Sequence, residues 1–451
     1  MNRKRLVVIG GGAAGFFCAV NAARMNPSLE VIILEKSSKL LAKVRVSGGG
    51  RCNVTHSCFS MAEMVKKYPR GAGFLKKAFH QFFTTDTIQW FRERGVPLKT
   101  EADGRMFPAT NMSETIVACL MKEANKYGVE ILMNREVGEL SLVSGEWSMV
   151  NGQWSMVNAE KTMMNNESAT DHGLWTIVFK DNTAMTADFV CIASGGYPKA
   201  AQFDWLRRLG HTIEAPVPSL FTFNMPGNPV TELMGVVAEN VTVKIAGSKL
   251  SGQGPLLITH WGMSGPAILK LSAWGARELS SSNWHFTINV NWLPAYNEQT
   301  LKDKLQQVRF EIATQKIINR NPFALPQRLW QYLLQQSGLH ADMRWADLPA
   351  KEQNKLIKNL CVQEFAVKGK TTFKEEFVTA GGIVLSEVDH NTMQSKIAPN
   401  LFFAGEVIDV DGITGGFNFQ NAWTTGWIAA KAIAGLVMSD ELWAISSHAP
   451  K

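Results

Sequence analysis
The residues best placed to do chemistry are glycines. Gly10, Gly12 and Gly15 stand in the spacing G-x-G-x-x-G at the end of the apolar run Leu6–Gly10. At the first a strand must turn sharply into a helix; at the second a pyrophosphate must reach backbone N–H groups; at the third the helix must pack on the strand. Glu35 lies twenty residues beyond Gly15, at the end of a second apolar run, Val31–Glu35. A carboxylate there accepts from ribose hydroxyls and repels a 2′-phosphate, so the bound adenosine is expected to belong to FAD or NAD and not NADP.

Three further constellations repeat this glycine logic. "SGGGRCNVTH" sets Ser47, Gly48, Gly49, Gly50, Arg51, Cys52 and Asn53 in one loop, whose amides and guanidinium suit a pyrophosphate or a flavin edge. Cys52 beside a cation reads either as a reactive thiol or, the favoured reading, as a small packing residue. "ADFVCIASGGYP" is a buried strand running into Ser194 and Gly195. "NLFFAGEVIDVDGITGGFNFQNAW" is a strand ending at Gly405 and Glu406, then a glycine loop and a helix entered at Gly416. An FAD needs such a second anchor and an NAD does not. The helix N-terminus would face flavin N1 and O2, with Asn418 as an added donor, so Asn418→Leu is expected to lower the flavin potential by some tens of millivolts. In "THWGMSGP", His260 is an acid–base candidate beside Trp261 in a substrate site, or else a hydrogen-bonded structural histidine, and Ser264 is expected to cap the following helix.

The elements that must carry these residues form an α/β pattern. A strand, a helix over 14–26 and a second strand open the chain. Residues 60–130 read as mainly helical, with turns at 94–98 and 101–109. Short strands fill 136–189, and a tandem near-duplication, "GEWSMVN" then "GQWSMVN" at 145–158, reads as a lengthened surface hairpin. Strands return over 211–260, helices over 298–360, strands over 362–385, and a small-residue helix over 421–438. The first and last segments therefore rebuild one domain around a large insertion. The expected partition is 1–198 and 378–451 for FAD, 199–297 with 361–377 for a β-barrel-like domain, and 298–360 for a small helical insert.

Composition bounds the classes. The 451 residues are 45% hydrophobic and 19% charged, which is globular. A net charge of +7 permits phosphate-bearing ligands, but no basic block is visible, so no nucleic-acid partner is expected. Six scattered cysteines without a CxxC pair give neither a disulfide framework nor a zinc site. The basic start and apolar stretch mimic a signal peptide, but the glycine spacing assigns them to nucleotide binding. No other apolar run is long enough to span a membrane, so a cytoplasmic protein is expected.

Together with "GRMFPATN", "LLITHWGMSGPAILKLS" and "TAGGIVLSEVD…TMQSK", these motifs resemble the bacterial NAD(P)/FAD-dependent oxidoreductase family. That family includes BaiN/YhiN-like, aminoacetone oxidase-like and 3-dehydro-bile acid reductase-like flavoproteins. The resemblance covers nearly the whole chain. It implies a glutathione-reductase-type FAD-binding Rossmann domain with the two inserts above, and it adds Ala13, Ala14, Lys36, Lys43, Val137 and Phe417 to the FAD contacts. The implied function is FAD-dependent redox chemistry on a small organic substrate at the flavin, beneath the inserted domain. Reduction of a conjugated C=C or C=N bond comes first, and O₂-dependent oxidation of an amine or hydroxy group second. An RNA-binding flavoprotein and a flavin redox sensor are the rivals. With one G-x-G-x-x-G, any nicotinamide donor must visit an open pocket, or a separate reductase supplies electrons.

Overall fold
The structure, a computed structural model, describes residues 3–143, 147–150, 153–156, 173–371 and 378–447. The chain divides into two compact units, Met1–Val217 with Val378–Lys451, and Pro218–Phe377.

The first unit is built on a five-stranded parallel sheet. Its spatial order is Leu401–Phe403, Phe189–Ile192, Arg5–Ile9, Glu30–Glu35 and Glu130–Met133. Runs such as Val7-Val8-Ile9 and Val31–Leu34 are apolar without alternation because helices cover both faces of a parallel sheet. Helix Ala13–Met25 is buried continuously from Ala14 to Ala23, wedged between the sheet and the long helix Phe417–Ser447. The contact is close. A methyl group on Gly426 would meet the Ala14 carbonyl oxygen at 2.7 Å, and one on Gly405 would meet Ala14 Cβ at 2.8 Å.

Smaller sheets decorate this frame. The stretch expected as a turn at 101–109 carries the strand Arg105–Pro108, paired antiparallel with Leu98–Thr100 and Thr55–His56. Its Asp103-Gly104 turn and alternating flanks make a hairpin inside a region whose helical signal dominates. In the duplicated segment, Trp147–Val150 pairs antiparallel with Gln153–Met156; residues 144–146, 151–152 and 157–172 lie outside the described residues. The expected boundary after 198 falls too early. Residues 199–217 stay with the first unit, because strand Ile213–Pro218 pairs with Thr379–Ile383 and Phe203 and Leu206 are fully buried there.

The second unit holds a seven-stranded sheet whose neighbours run antiparallel. Its edge strands, Gln363–Lys368 and Lys370–Thr371, are consecutive in the chain. Gly369 between them donates to the Trp284 carbonyl and accepts from Asn224 N–H, so one residue joins the two edges into a barrel. The helices Glu298–Glu311, Gln327–Gln336 and Ala350–Cys361 do not form a separate insert. Leu305, Val308, Trp330 and Trp345 share one buried cluster with Val243, Ile288, Val290 and Phe365. Amphipathic helices of this length hold their shape by burying one face against a neighbour, and here the neighbour is the barrel.

Candidate functional site
Gly10–Gly12, Glu35, Ser194–Gly195 and Gly405–Glu406 all sit at carboxyl ends of the parallel strands. In open α/β sheets that edge is where ligands bind. The three fingerprint glycines divide by cause. A methyl group on Gly10 would strike the Ala193 carbonyl oxygen at 2.4 Å, and one on Gly15 would strike the Gly10 oxygen at 1.9 Å. Packing within the protein demands both. At Gly12 nothing lies within 4 Å, and its φ of −93° suits any residue. Gly12 is also the N-cap of helix Ala13–Met25, with no side-chain cap and no acidic residue in the first turn. The first-turn amides, Ala13 and Ala14 included, are thus left to an anion.

Glu35 is held ready. Its carboxylate accepts from Gly11 N–H at 3.0 Å, and from Ser37 N–H and hydroxyl at 2.9 and 2.8 Å. Lys36 lies 5.8 Å from the centre of the Tyr197 ring. Half-buried Val137 opens the strand next to Arg135, whose N–H donates to the Glu35 carbonyl. Lys43 reaches across 363 positions to pair with Glu406 at 2.6 Å, and the other Glu406 oxygen accepts from Thr379 N–H at 2.7 Å. Among the described residues, Thr379 Oγ1 is buried without a hydrogen-bond partner beside this pair. An orphaned hydroxyl, a donor-rich helix start and a carboxylate at the second strand end fit FAD.

The triglycine loop leaves its backbone open at Gly49 and Gly50, where nothing lies within 4 Å of an added methyl group, while Arg51 and Cys52 are taken up by the protein. Helix Ala42–Gly50 kinks after Ser47, and Gly48, Gly49 and Gly50 take φ of 60°, 68° and 83°, a run that side chains resist. Ser47 Oγ donates to the Val44 carbonyl. Arg51 is engaged inside the protein: it pairs with Glu101, donates to the Gly48 carbonyl and lies 4.0 Å above the Phe107 ring. Cys52 is fully buried, and burial pushes its thiol up to about 12, so it is a packing residue and not a reactive thiolate.

Asn418 departs from expectation as well. Its amide accepts from Gly412 N–H at 2.8 Å and donates to the Gly412 carbonyl at 2.9 Å, closing the glycine loop on itself. Asn53, with its amide oriented to satisfy both partners, donates to the Thr55 carbonyl and accepts from Gly416 N–H at 2.9 Å. The Asn418 side chain, expected as a donor to the flavin, therefore serves the protein, and so does that of Asn53. A methyl group on Gly416 would meet the Thr55 oxygen at 2.6 Å. Phe417 stacks on His56 at 4.8 Å, and its carbonyl accepts from the buried Tyr68 hydroxyl. Sequence reasoning missed the buried pair of Arg70 with Asp411, which anchors the same loop.

In the second unit, His260 and Trp261 form the two-residue tip of the hairpin joining Ser251–Thr259 to Gly262–Ser264. His260 is exposed, its ring 3.8 Å from that of Trp261. Among the described residues its side chain makes no hydrogen bond, against the alternative of a hydrogen-bonded structural histidine. Ser264 does not cap the next helix; Gly265 is the N-cap of Pro266–Trp274, at φ 91°.

One cluster imitates hydrolytic chemistry. Ser395 Oγ lies 3.1 Å from His211 Nε2, and His211 Nδ1 lies 3.2 Å from Glu387. Ser395 Oγ already accepts from the Ile397 and Ala398 amides, so it spends its proton on Nε2 and keeps no lone pair for attack. The cluster is a structural lock.

The HI0933-like protein Rossmann domain matches residues 4–432. The chain belongs to this family. It is an FAD-dependent oxidoreductase, with FAD as its cofactor. Two ribosomal RNA dihydrouridine synthases are similar to it. That of Haemophilus influenzae is 28% identical over 437 residues, covering 95% of this chain and 98% of that one. That of Escherichia coli is 29% identical over 450 residues, covering 96% and 98%. A 3-dehydro-bile acid delta(4,6)-reductase of Clostridium scindens is 25% identical over 449 residues, covering 95% and 99%. Among the described residues of this family member, no helix is long and apolar enough to cross a membrane.

Proposed function
We propose that the chain saturates a carbon–carbon double bond conjugated to a carbonyl, and that its substrate is a uridine of ribosomal RNA. One observation carries the reading: relatives matched along their whole length are named for different substrates but for one kind of bond. Dihydrouridine is uridine saturated between two ring carbons next to a carbonyl, and a delta-reductase of a 3-oxo compound acts on the same arrangement. The net charge of +7 favours the polyanionic substrate. The small organic substrate expected from sequence remains as the second reading, supported by the bile acid relative.

Bound at the strand edge, FAD supplies the hydride. The chain's own residues bind and orient. Gly12 and the helix start take the pyrophosphate, and Glu35 takes the adenosine ribose. Glu406, fixed by Lys43 and Thr379, holds the opposite anchor. Electrons come from a nicotinamide that visits an open pocket or from a separate reductase.

The test is anaerobic photoreduction of the FAD-loaded protein, then mixing with a uridine-bearing ribosomal RNA fragment or with a 3-oxo steroid enone. Rapid flavin reoxidation with two hydrogens gained by the RNA is the expected result. Reoxidation by the steroid alone selects the second reading, and reoxidation by neither sinks both.

A further inference from the structure
The second unit contains a cleft that neither the motifs nor the family fingerprint uses. Strands Val237–Ile245 and His285–Asn291 pair antiparallel, with Thr242 opposite Asn291 and Lys244 opposite Asn289. Alternation sends Val243, Ile245, Ile288 and Val290 into the core, where each is 5% exposed or less. The other four side chains therefore share the outer face as a two-by-two polar patch, within reach of one another. Pro294, Tyr296, Glu298 and Cys361 wall this patch into a cavity of about 560 Å³, the size range of small-ligand sites.

The patch is chemically unfinished. Among the described residues, Asn289 Oδ1 is buried with no hydrogen-bond partner, and a buried acceptor without a donor is costly enough to point to a missing one. Among the described residues, exposed Lys244 makes no ion pair. Burial pushes the Cys361 thiol up to about 11, so that wall is uncharged. The cleft thus offers a cation, an acceptor amide, a second amide, a hydroxyl, a carboxylate and an aromatic edge.

We infer that this cleft binds a ribonucleotide unit. Lys244 takes the phosphate, Asn289 Oδ1 takes an N–H of the base or nicotinamide amide, and Glu298 takes ribose hydroxyls. That chemistry has two sources, a nucleotide within an RNA strand or a free dinucleotide donor. The strand source rests on the RNA reading above; the cleft itself does not.

The test titrates the full-length FAD-loaded protein with a short single-stranded oligouridylate and, separately, with NADPH. Asn289→Leu keeps the volume and removes the amide, and Lys244→Glu reverses the charge at an exposed position that folding tolerates. Lys249→Glu, exposed and outside the cleft, controls for net charge. Both cleft variants are expected to weaken one probe or both by about tenfold, with FAD content unchanged and the control unaffected. Loss for oligouridylate alone assigns the strand source, and loss for NADPH alone assigns the free dinucleotide. Parent-like binding of both probes by both cleft variants, equal weakening by the control, or a parent that binds neither probe overturns the inference. If NADPH binding falls while RNA is never reduced, the RNA reading fails and the cleft stands. If RNA is reduced but the cleft variants bind as the parent does, the reverse holds.

Discussion

Glu35 and Asn418 show how far a single residue type can be read. Glu35 stands where its spacing from the glycines put it, and the Gly11 and Ser37 bonds orient its carboxylate. Glu35→Ala is expected to weaken FAD by roughly ten- to a hundred-fold, about 1.5–3 kcal/mol, measured by titrating the apoprotein. Unchanged affinity would remove it from the site. Asn418 was legible as a polar residue at a helix start, but not as a partner of Gly412. Asn418→Leu leaves two buried Gly412 backbone groups unpaired, so it should cost about 2–4 kcal/mol in unfolding and leave the flavin potential alone. A shifted potential with unchanged melting would return Asn418 to the flavin. The ion pairs of Arg51 and Lys43 escaped a sequence reading for one reason: the partners, Glu101 and Glu406, lie 50 and 363 positions away.

At the scale of elements, the strand–glycine–helix unit was readable because its requirements are local. Gly10 and Gly15 are needed by neighbouring backbone, and Gly12 is not. Gly15→Ala is therefore expected to lower the melting temperature of the apoprotein, since the backbone must shift by more than core packing allows. Gly12→Ala should leave apoprotein melting within about 1 kcal/mol of the parent while FAD affinity falls, because its methyl group would stand over the helix amides. Calorimetry of both apoproteins separates the two. Equal destabilisation would show that Gly12 too is a packing glycine. The hairpin at 98–108 and the barrel closure at Gly369 were less readable, because pairing partners are set by tertiary contact and not by alternation alone.

For the whole molecule, the discontinuous architecture was visible in the two glycine anchors at opposite ends of the chain. The merging of helices and barrel into one core was not, since an amphipathic face does not name what it covers. The His211 lock ties residues 211–212 to 387 and 395 and gives the first unit a pH dependence. Burial holds the His211 imidazole below its ordinary value against the pull of Glu387. Burial alone would raise the Glu387 carboxyl, and its bonds to Thr212 and His211 outweigh that and hold it low. Both groups bind protons more readily in the unfolded chain, so stability falls as pH drops below about 6.5 and further below the carboxylate range. Melting followed from pH 7.5 to 5 should decline more steeply in the parent than in His211→Asn. Parallel declines would take the lock out of the pH response.

Because the second unit is one uninterrupted stretch, 218–377, it is complete in sequence while the first unit still lacks residues 378–451. On the ribosome, the barrel can therefore close at Gly369 before strand Leu401–Phe403 exists to join the parallel sheet. Gly405 and Glu406 emerge later still, followed by the helix that covers Ala14. The nascent chain thus carries its pyrophosphate grip early but gains its second anchor only after the whole second unit has been made. Flavin capture is expected to wait for that second anchor, and stalled chains ending before residue 400 should emerge colourless.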